Sequence, residues 1–424
     1  MLDIKFIKEN AGLVKENIKK KFQNDKLPLV EKAVKLYDEW RSLKSEVDNL
    51  RARRNKSSEE INQLKKQGKD ISKILKEIRE IPEKIKSIEA ESDLLYKELQ
   101  EILLTIPNIM HKSVPIGQND TKNVPSKFFG KPSKFKFPVK NHVELVEKLN
   151  VADFESSARI AGKGFYFIQG QLAQMNQALL RFGLDFMIKK GFTLIEPPLL
   201  VNKKVIDGVM SFKEIDNMIY KIENEDLYLI GTSEHSIIGK FIDALIPEDK
   251  LPIKLVGISS CFRKEVGSHG INEKGLWRTH QFNKVEQIII CKPKDSDKYY
   301  NEILKNSIDL YKALKLPIRQ LEICSGDLGD LKHKQADIEA YRPTIKSYGE
   351  VGSCSNLTDA QARRLNIKII DKKGNKFFAH TLNNTAIATS RAMVSIIENN
   401  QQKDGSIKVP AVLKKYTGFS AIKK

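Results

Sequence analysis

Cysteine is scarce in this chain of 424 residues: four, at positions 261, 291, 324 and 354. No two of them form a CxxC pair. That spacing argues against a zinc ribbon or a disulfide framework, so no zinc is expected. Free thiols suit a reducing cytosol. Long apolar runs are absent as well. No stretch reaches the roughly eighteen apolar residues that a membrane helix needs, so no membrane span is expected. The opening MLDIKFIKEN mixes charges with isolated apolar side chains and lacks the apolar core of a signal peptide. A cytoplasmic location is therefore the expectation. Glycine-rich P-loop and Rossmann patterns are missing. Acidic charge is in short supply, with 54 Asp and Glu against 73 Lys and Arg, a formal charge of +19 and a pI near 9.4. A polyanionic partner fits that balance, and so does a generally lysine-rich proteome. The length suggests two or three domains.

The most informative stretch runs from Cys261 to Gln287, CFRKEVGSHGINEKGLWRTHQFNKVEQ. It reads as two strands joined by a glycine-containing loop. On the second, Arg278, His280, Phe282, Lys284 and Glu286 alternate and so share one face. Arg263 and Glu265 share a face on the first. Such a face can grip a nucleotide: a ring stacks on the base, arginine forks onto phosphate and carboxylates accept amino or hydroxyl donors. The plainer alternative is a solvated sheet face with charges paired among themselves. Ile288 and Ile290 continue the parity of Glu286, however, which carries that face into a core, where charges need partners.

The N-terminal third carries heptad spacing on two segments. Leu36, Trp40, Leu43, Val47, Leu50, Arg54, Ser57, Ile61 and Leu64 step by four and three. After Gly68 the pattern resumes from Ile71 through Ile74, Ile78, Ile81, Ile85 and Ile88 to Ser92, Leu95, Leu99 and Ile102. Folding back around Gly68 pairs positions whose numbers sum to 135, such as Leu50 with Ile85 and Val47 with Ile88. An antiparallel coiled-coil hairpin accounts for both segments. Arg54 and Ser57 are a polar defect in the seam, and Pro82 at that level should bend the second helix. The first helix would run roughly 60 Å, too long for a compact domain of about 19 Å radius of gyration, so the hairpin should project as an arm. Its outer half is basic: Arg51, Arg53, Arg54, Lys56, Lys65, Lys66, Lys69, Lys73 and Lys76. That suits phosphate contacts. A solvated coiled coil or an oligomerisation zipper is the alternative.

Five prolines mark 107–140 as a linker or wrapped loop. Beyond it, strands and helices alternate irregularly, which predicts an α+β fold with a mixed, largely antiparallel sheet flanked by helices. A helix over 171–190 leads into GFTLIEPPLL. LIGTSE at 229–234 reads as strand, turn and helix cap. EVGSCSN begins at Glu350, and HTLNNTAIATSR runs from His380 to Arg391.

Phe262-Arg263-x-Glu265, a variable loop and Arg278-x-His280-x-Phe282 resemble motif 2 of the class II aminoacyl-tRNA synthetases. GLWRTHQFNKVE is similar to the seryl-tRNA synthetases in particular. The helix and strand before Pro197-Pro198 resemble motif 1, which forms a dimer interface. HTLNNTAIATSR resembles motif 3, although it lacks the usual glycines, as does the archaeal and eukaryotic seryl branch. The HIGH and KMSKS signatures of class I enzymes are absent.

The resemblance implies three regions: a tRNA-binding helical arm at 1–106 with its tip near Gly68, a linker at 107–140 and a class II catalytic domain at 141–424. It implies a serine–tRNA ligase that activates L-serine with ATP and passes it to the 3′ end of tRNA(Ser), gripped by its long variable arm, with tRNA(Sec) as a further candidate acceptor. A homodimer is implied as well. The serine site would comprise Thr232, Ser233, Glu234, Glu286 and Thr385. Thr232 and Glu234 would hold the ammonium, Glu286 would take the hydroxyl, and Thr385 stands where serine is usual. ATP would meet Arg263, Lys264, Glu265, Phe282, Glu350, Val351, Gly352, Ser353 and Arg391. Within that set Arg263 and Arg391 act in catalysis, and Glu350 and Ser353 serve as Mg²⁺ ligands. Gly352 replaces the family's usual serine. Two alternatives stay open: an enzyme loading a small amino acid onto a non-tRNA acceptor, and a non-catalytic RNA-binding relative.

Overall fold

The computed structural model describes residues 1–266 and 274–424, apart from the side chains of Lys73, Leu75 and Glu77. The loop between the two motif-bearing strands, 267–273, lies outside the described residues. The chain divides into two compact units, Met1–Pro107 and Asn108–Lys424. Among the described residues no helix is long and apolar enough to cross a membrane.

The first unit is helical: α1 (Ile4–Glu9), α2 (Ala11–Lys20), α3 (Leu27–Lys66) and α4 (Ser72–Thr105). Proline in the first turn of α3 sits where no backbone donor is needed. At the other end Gly68 takes φ +68°. The N–H of Lys69 reaches the carbonyl of Leu64 at 3.1 Å, and that of Gly68 reaches Lys65 at 3.2 Å. This closes the last turn as a Schellman cap and reverses the chain. The heptad register holds: Val47, Ile81 and Ile85 are buried together, with Leu50 and Ile88 packed against them. Trp40 meets Tyr96 with ring centres 5.2 Å apart, and Arg51 pairs with Glu89 at 2.6 Å. One detail of the seam differs. Arg54 is exposed, and only Ser57 of the expected polar defect is buried. A serine is small enough to be buried in the seam, whereas an arginine there gains more by solvating its charge. Helix α4 continues through Pro82, so the proline removes one hydrogen bond without ending the helix.

The second unit is built on an eight-stranded sheet. Its strands are β1 (Val124–Phe129), β2 (Thr193–Ile195), β3 (Ile253–Phe262), β4 (Gln281–Cys291), β5 (Ile318–Glu322), β6 (Lys334–Arg342), β7 (Ser347–Thr358) and β8 (His380–Ala388). Their spatial order is β1-β5-β6-β7-β8-β4-β3-β2. All neighbours run antiparallel except β2 with β3. Within the proline-rich segment expected to be a linker or loop, β1 thus adds an edge strand. Its Pro125 is tolerated there because an edge strand leaves donors unpaired, and the register slips just after it.

Three helices, α5 (Gly170–Lys189), α7 (Ser296–Ala313) and α8 (Thr389–Asn399), supply one core with Val285, Ile289, Leu382 and Ile387. A short helix, α6 (Ser233–Gly239), belongs to a second core with Ile230, Leu255, Ile288 and Ile290. Alternation along β4 explains the division. Its odd residues Val285 and Ile289 enter the first core and its even residues Ile288 and Ile290 the second. Each such side chain contributes roughly 1.5–3 kcal/mol of burial. Phe282, Lys284 and Glu286 share the even parity, so a strand anchored at one end by apolar packing carries charge at the other.

Candidate active site

The charged end of β4 lies in a two-lobed cleft. The outer lobe is lined by Arg263, Glu265, Trp277, Arg278, Phe282, Glu350, Val351, Gly352, Ser390 and Arg391, among others. The inner lobe is lined by Thr232, Glu234, His235, Glu286, Lys332, Asp337, Ser353, Asn383 and neighbours. Arg263, Lys284, Glu350 and Thr385 line both.

Strand ends position the outer lobe. Strand β3 stops at Phe262 and β4 starts at Gln281, so Arg263, Glu265, Arg278 and His280 flank the strands instead of lying within them. The expected strands are therefore shorter than their alternation suggested. Backbone pairing persists one step further, with the N–H of Arg263 donating to the carbonyl of His280 at 2.9 Å. The chain then leaves the ladder, and Glu265 takes φ +54°, a conformation costly for a residue with a side chain. Its carboxylate pairs with Arg278 at 2.9 Å. The guanidinium of Arg263 stands 5.3 Å from the centre of the Phe282 ring, and its Nε donates to the carbonyl of Gly231 at 3.2 Å. From the first turn of α8, Arg391 pairs through Nη1 with Glu350 Oε2 at 2.9 Å. Burial pushes the Glu350 carboxyl up, but Arg391, Arg263 and Lys332 outweigh it and hold it below the usual range.

The inner lobe is a buried carboxylate site. Glu286 has no exposed surface. It accepts from Lys284 at 2.5 Å, from Asn383 at 3.2 Å and from Thr385 at 3.4 Å. Asn383 also donates to Glu234 at 2.7 Å, and Gln361 donates to Glu234 at 2.8 Å. Burial first and the charge of Glu286 second push the Glu234 carboxyl up to about 7. Burial, with Lys284 and Arg263 adding to it, drives His235 down to about 3, so that ring is neutral. A polar layer beneath holds the wall in place. Ser307 of α7 donates to the carbonyl of Thr385 at 2.8 Å, and Gln287 and Asn384 donate to Ser307 at 2.9 and 2.8 Å.

Two residues of the expected set stay outside the cleft lining. Ser233 is fully buried, and its Oγ would lie 2.6 Å from a Cβ placed on Gly257 of β3. A side chain one place after the cap points into the sheet, while Thr232 and Glu234 point to the cleft. The N–H of Lys264 donates to the carbonyl of Met218 at 2.9 Å, and its side chain is not part of either lobe. Other lining residues carried less signal. Asn383 is two residues before Thr385 and shares its face, so alternation alone could have found it. Asp337 enters because β6 pairs with β7 and sets it opposite Ser353, a long-range fact with no local mark.

Among the described residues no cluster of three or more His, Cys, Asp or Glu side chains forms a standing metal cage. Burial and the charge of Glu350 push Asp337 up to about 7, so these two carboxylates share one field. Two carboxylates are a donor set that suits a Mg²⁺ ion carried mainly by phosphate oxygens and water.

Comparisons with known proteins agree on one family. The family described as "Seryl-tRNA synthetase N-terminal domain" matches residues 1–110, and "tRNA synthetase class II core domain (G, H, P, S and T)" matches 218–400. A serine–tRNA ligase of Methanocella arvoryzae is 45% identical over 98% of this chain and 98% of its own length. The crystal structure of the seryl-tRNA synthetase of Pyrococcus horikoshii complexed with ATP superposes with a TM-score of 0.95 at 41% identity, covering 100% of this chain and 99% of that one. A cytoplasmic serine–tRNA ligase of Naegleria fowleri in complex with AMP gives a TM-score of 0.89 at 32% identity, with coverage of 100% and 99%.

Proposed function

The chain belongs to the seryl-tRNA synthetases and is an ATP-dependent serine–tRNA ligase of class II, and from that premise we propose how its cleft divides the work. ATP occupies the outer lobe and serine the inner. A serine carboxylate oxygen attacks the α-phosphorus, the bond to pyrophosphate breaks, and seryl-adenylate forms. A terminal ribose hydroxyl of tRNA then attacks the seryl carbonyl carbon, and AMP leaves. In such transfers the protein contributes position and charge.

Phe282 stacks on adenine, and Glu265 accepts from its amino group. Arg263 holds the α-phosphate where charge builds during attack. Arg391 takes the γ-phosphate. Glu350, with Ser353 beside it, would hold Mg²⁺, which supplies charge neutralisation on the phosphates. Thr232 and Glu234 receive the ammonium, and Glu286 with Thr385 receives the hydroxyl. Ser233 supports this site as the buried neighbour of Thr232, and Lys264 supports the outer lobe through its backbone. Threonine has to be excluded by a clash of its extra methyl with the pocket, a discrimination of about 10- to 200-fold.

The observation that supports this reading is the junction of the lobes. Arg263, Lys284, Glu350 and Thr385 line both, so two substrates seated in them would meet beside a cation. The basic hairpin of the first unit would take the variable arm of tRNA(Ser). A homodimer through α5 and β2 is favoured by apolar side chains left open there: Ile188 and Leu194 are 44% and 39% exposed. The test is amino-acid-dependent ATP–pyrophosphate exchange with serine, threonine, alanine and glycine in parallel. Exchange with serine alone is expected. No exchange with any of the four would overturn the assignment.

A further inference from the structure

We propose that Glu398, His142, Arg342 and Trp277 form a positioning cluster that presets the Arg391 guanidinium for the nucleotide; this rests on the assignment of Arg391 to ATP above.

Glu398, near the end of α8, has no exposed surface. Arg342 at the end of β6 reaches it at 3.0 and 3.4 Å, Thr344 donates to it at 2.8 Å, and His142 Nδ1 lies 3.2 Å away. Burial would push this carboxyl up, yet the bonds from His142, Arg342 and Thr344 hold it down at about 2. It is therefore a permanent anion on which two other elements are tied.

Both ties lead to the stem that returns toward β4. His142 Nε2 accepts from the N–H of Leu276 at 3.0 Å, which leaves Nδ1–H to donate to Glu398. A Cβ on Gly275 would fall 2.5 Å from that Nε2, so only glycine lets the stem come this close. Trp277 follows Leu276. Arg342 sits 4.4 Å from the centre of its indole, and Arg391 sits 5.6 Å away. The carbonyl of Trp277 also accepts from Arg391 Nε at 3.3 Å. Ring and carbonyl thus fix the base of the Arg391 guanidinium, while its Nη1 stays with Glu350 in the cleft. A long side chain fixed before the ligand arrives loses less freedom on binding.

The chain has two tryptophans, Trp40 and Trp277, so Trp40→Phe makes Trp277 the sole indole reporter in the full-length protein. ATP added to that protein is expected to change its emission. In pyrophosphate exchange, Arg342→Met should raise the KM for ATP at least about fivefold and leave that for serine within about twofold. If the buried Glu398 charge then prevents folding, Arg342→Met/Glu398→Gln removes both charges and should show the same split. An unchanged KM for ATP, or equal rises in both constants, overturns the positioning role. Arg391→Ala separates the two ideas. If it leaves the KM for ATP unchanged, the assignment of Arg391 to ATP fails. If it raises that constant while the Arg342 variants do not, only the positioning role fails.

Discussion

Replacing Glu286 by glutamine tests the serine site most directly. The carboxylate is fully buried and already accepts from Lys284, Asn383 and Thr385. A carboxylate offers about four acceptor directions, so roughly one remains for a substrate hydroxyl. The hydroxyl is therefore worth one charge-assisted hydrogen bond, about 1.5–3 kcal/mol. Glu286→Gln keeps the shape and removes the charge, so kcat/KM for serine in pyrophosphate exchange should fall about 10- to 150-fold. The same arithmetic limits discrimination. Alanine leaves a carboxylate that still has three partners, so its rejection should fall below the roughly 10⁴ of a site whose polar group would be stranded. Lys284 loses its formal counterion in the variant, which lowers stability, so folding is checked by thermal melting. ATP affinity measured without serine should stay within about twofold of the parent. A serine kcat/KM within twofold of the parent, or an equal loss of ATP affinity, would refute the reasoning.

Further outcomes follow from the same geometry. Glu234 is raised to about 7, and an ammonium needs the carboxylate form, so serine binding should strengthen as pH rises through about 7, as read by calorimetry. The linked stability runs the other way: the folded state keeps the proton between the ordinary value and about 7, so that contribution is full below the ordinary value and is lost as pH rises through 7. Serine affinity flat across that window would remove Glu234 from the ammonium site. Gly349→Ala would place a Cβ 2.4 Å from the Trp277 ring. The ring must shift at a cost of about 1–3 kcal/mol, with the KM for ATP rising ahead of that for serine. Deleting residues 36–100 should spare adenylate formation and abolish charging of tRNA. In the intact protein log affinity for tRNA should fall linearly with log salt; charging undiminished by the deletion would refute a role for the hairpin.

The hairpin was legible because its information is local and repeated. Heptads on both sides of Gly68 define a register that the packing of Val47, Leu50, Ile81, Ile85 and Ile88 matches. The direction of Phe282, Lys284 and Glu286 was legible for a similar reason, since alternation ties their face to Ile288 and Ile290. Strand ends were not legible. Alternation continues through Arg263 and Arg278, but the ladder ends at Phe262 and Gln281, one further bond joins Arg263 to His280, and Glu265 then turns into a positive φ. The inward turn of Ser233 was not legible because a motif gives residue types and not the rotation of a helix start. Asp337, Lys332 and the polar layer under Thr385 depend on which strands and helices become neighbours, and a single sequence does not display that pairing.

Three cations of the cleft are paired with carboxylates before any substrate arrives. Arg391 is held by Glu350, Arg278 by Glu265 and Lys284 by Glu286. A buried cation without a partner would cost several kcal/mol, and a rigid cationic pocket of this size would destabilise the fold. Pairing solves that problem, and it also makes substrate binding an exchange of partners. A phosphate that takes Arg391 releases Glu350, the most exposed of these carboxylates at 44%. The freed carboxylate then stands beside the phosphates, where a divalent cation would be welcome and a bare polyanion would not. Glu286 has no such freedom: it is sealed from solvent and tied to three donors, so it can add a hydroxyl but cannot release its lysine. One end of the cleft can therefore rearrange around a large, variable charge, and the other is fixed around a small side chain. If ATP takes the Glu350 end and serine the Glu286 end, as proposed, the difference in exposure between these two carboxylates lets one exchange partners around phosphates while the other judges an amino acid by a single oxygen.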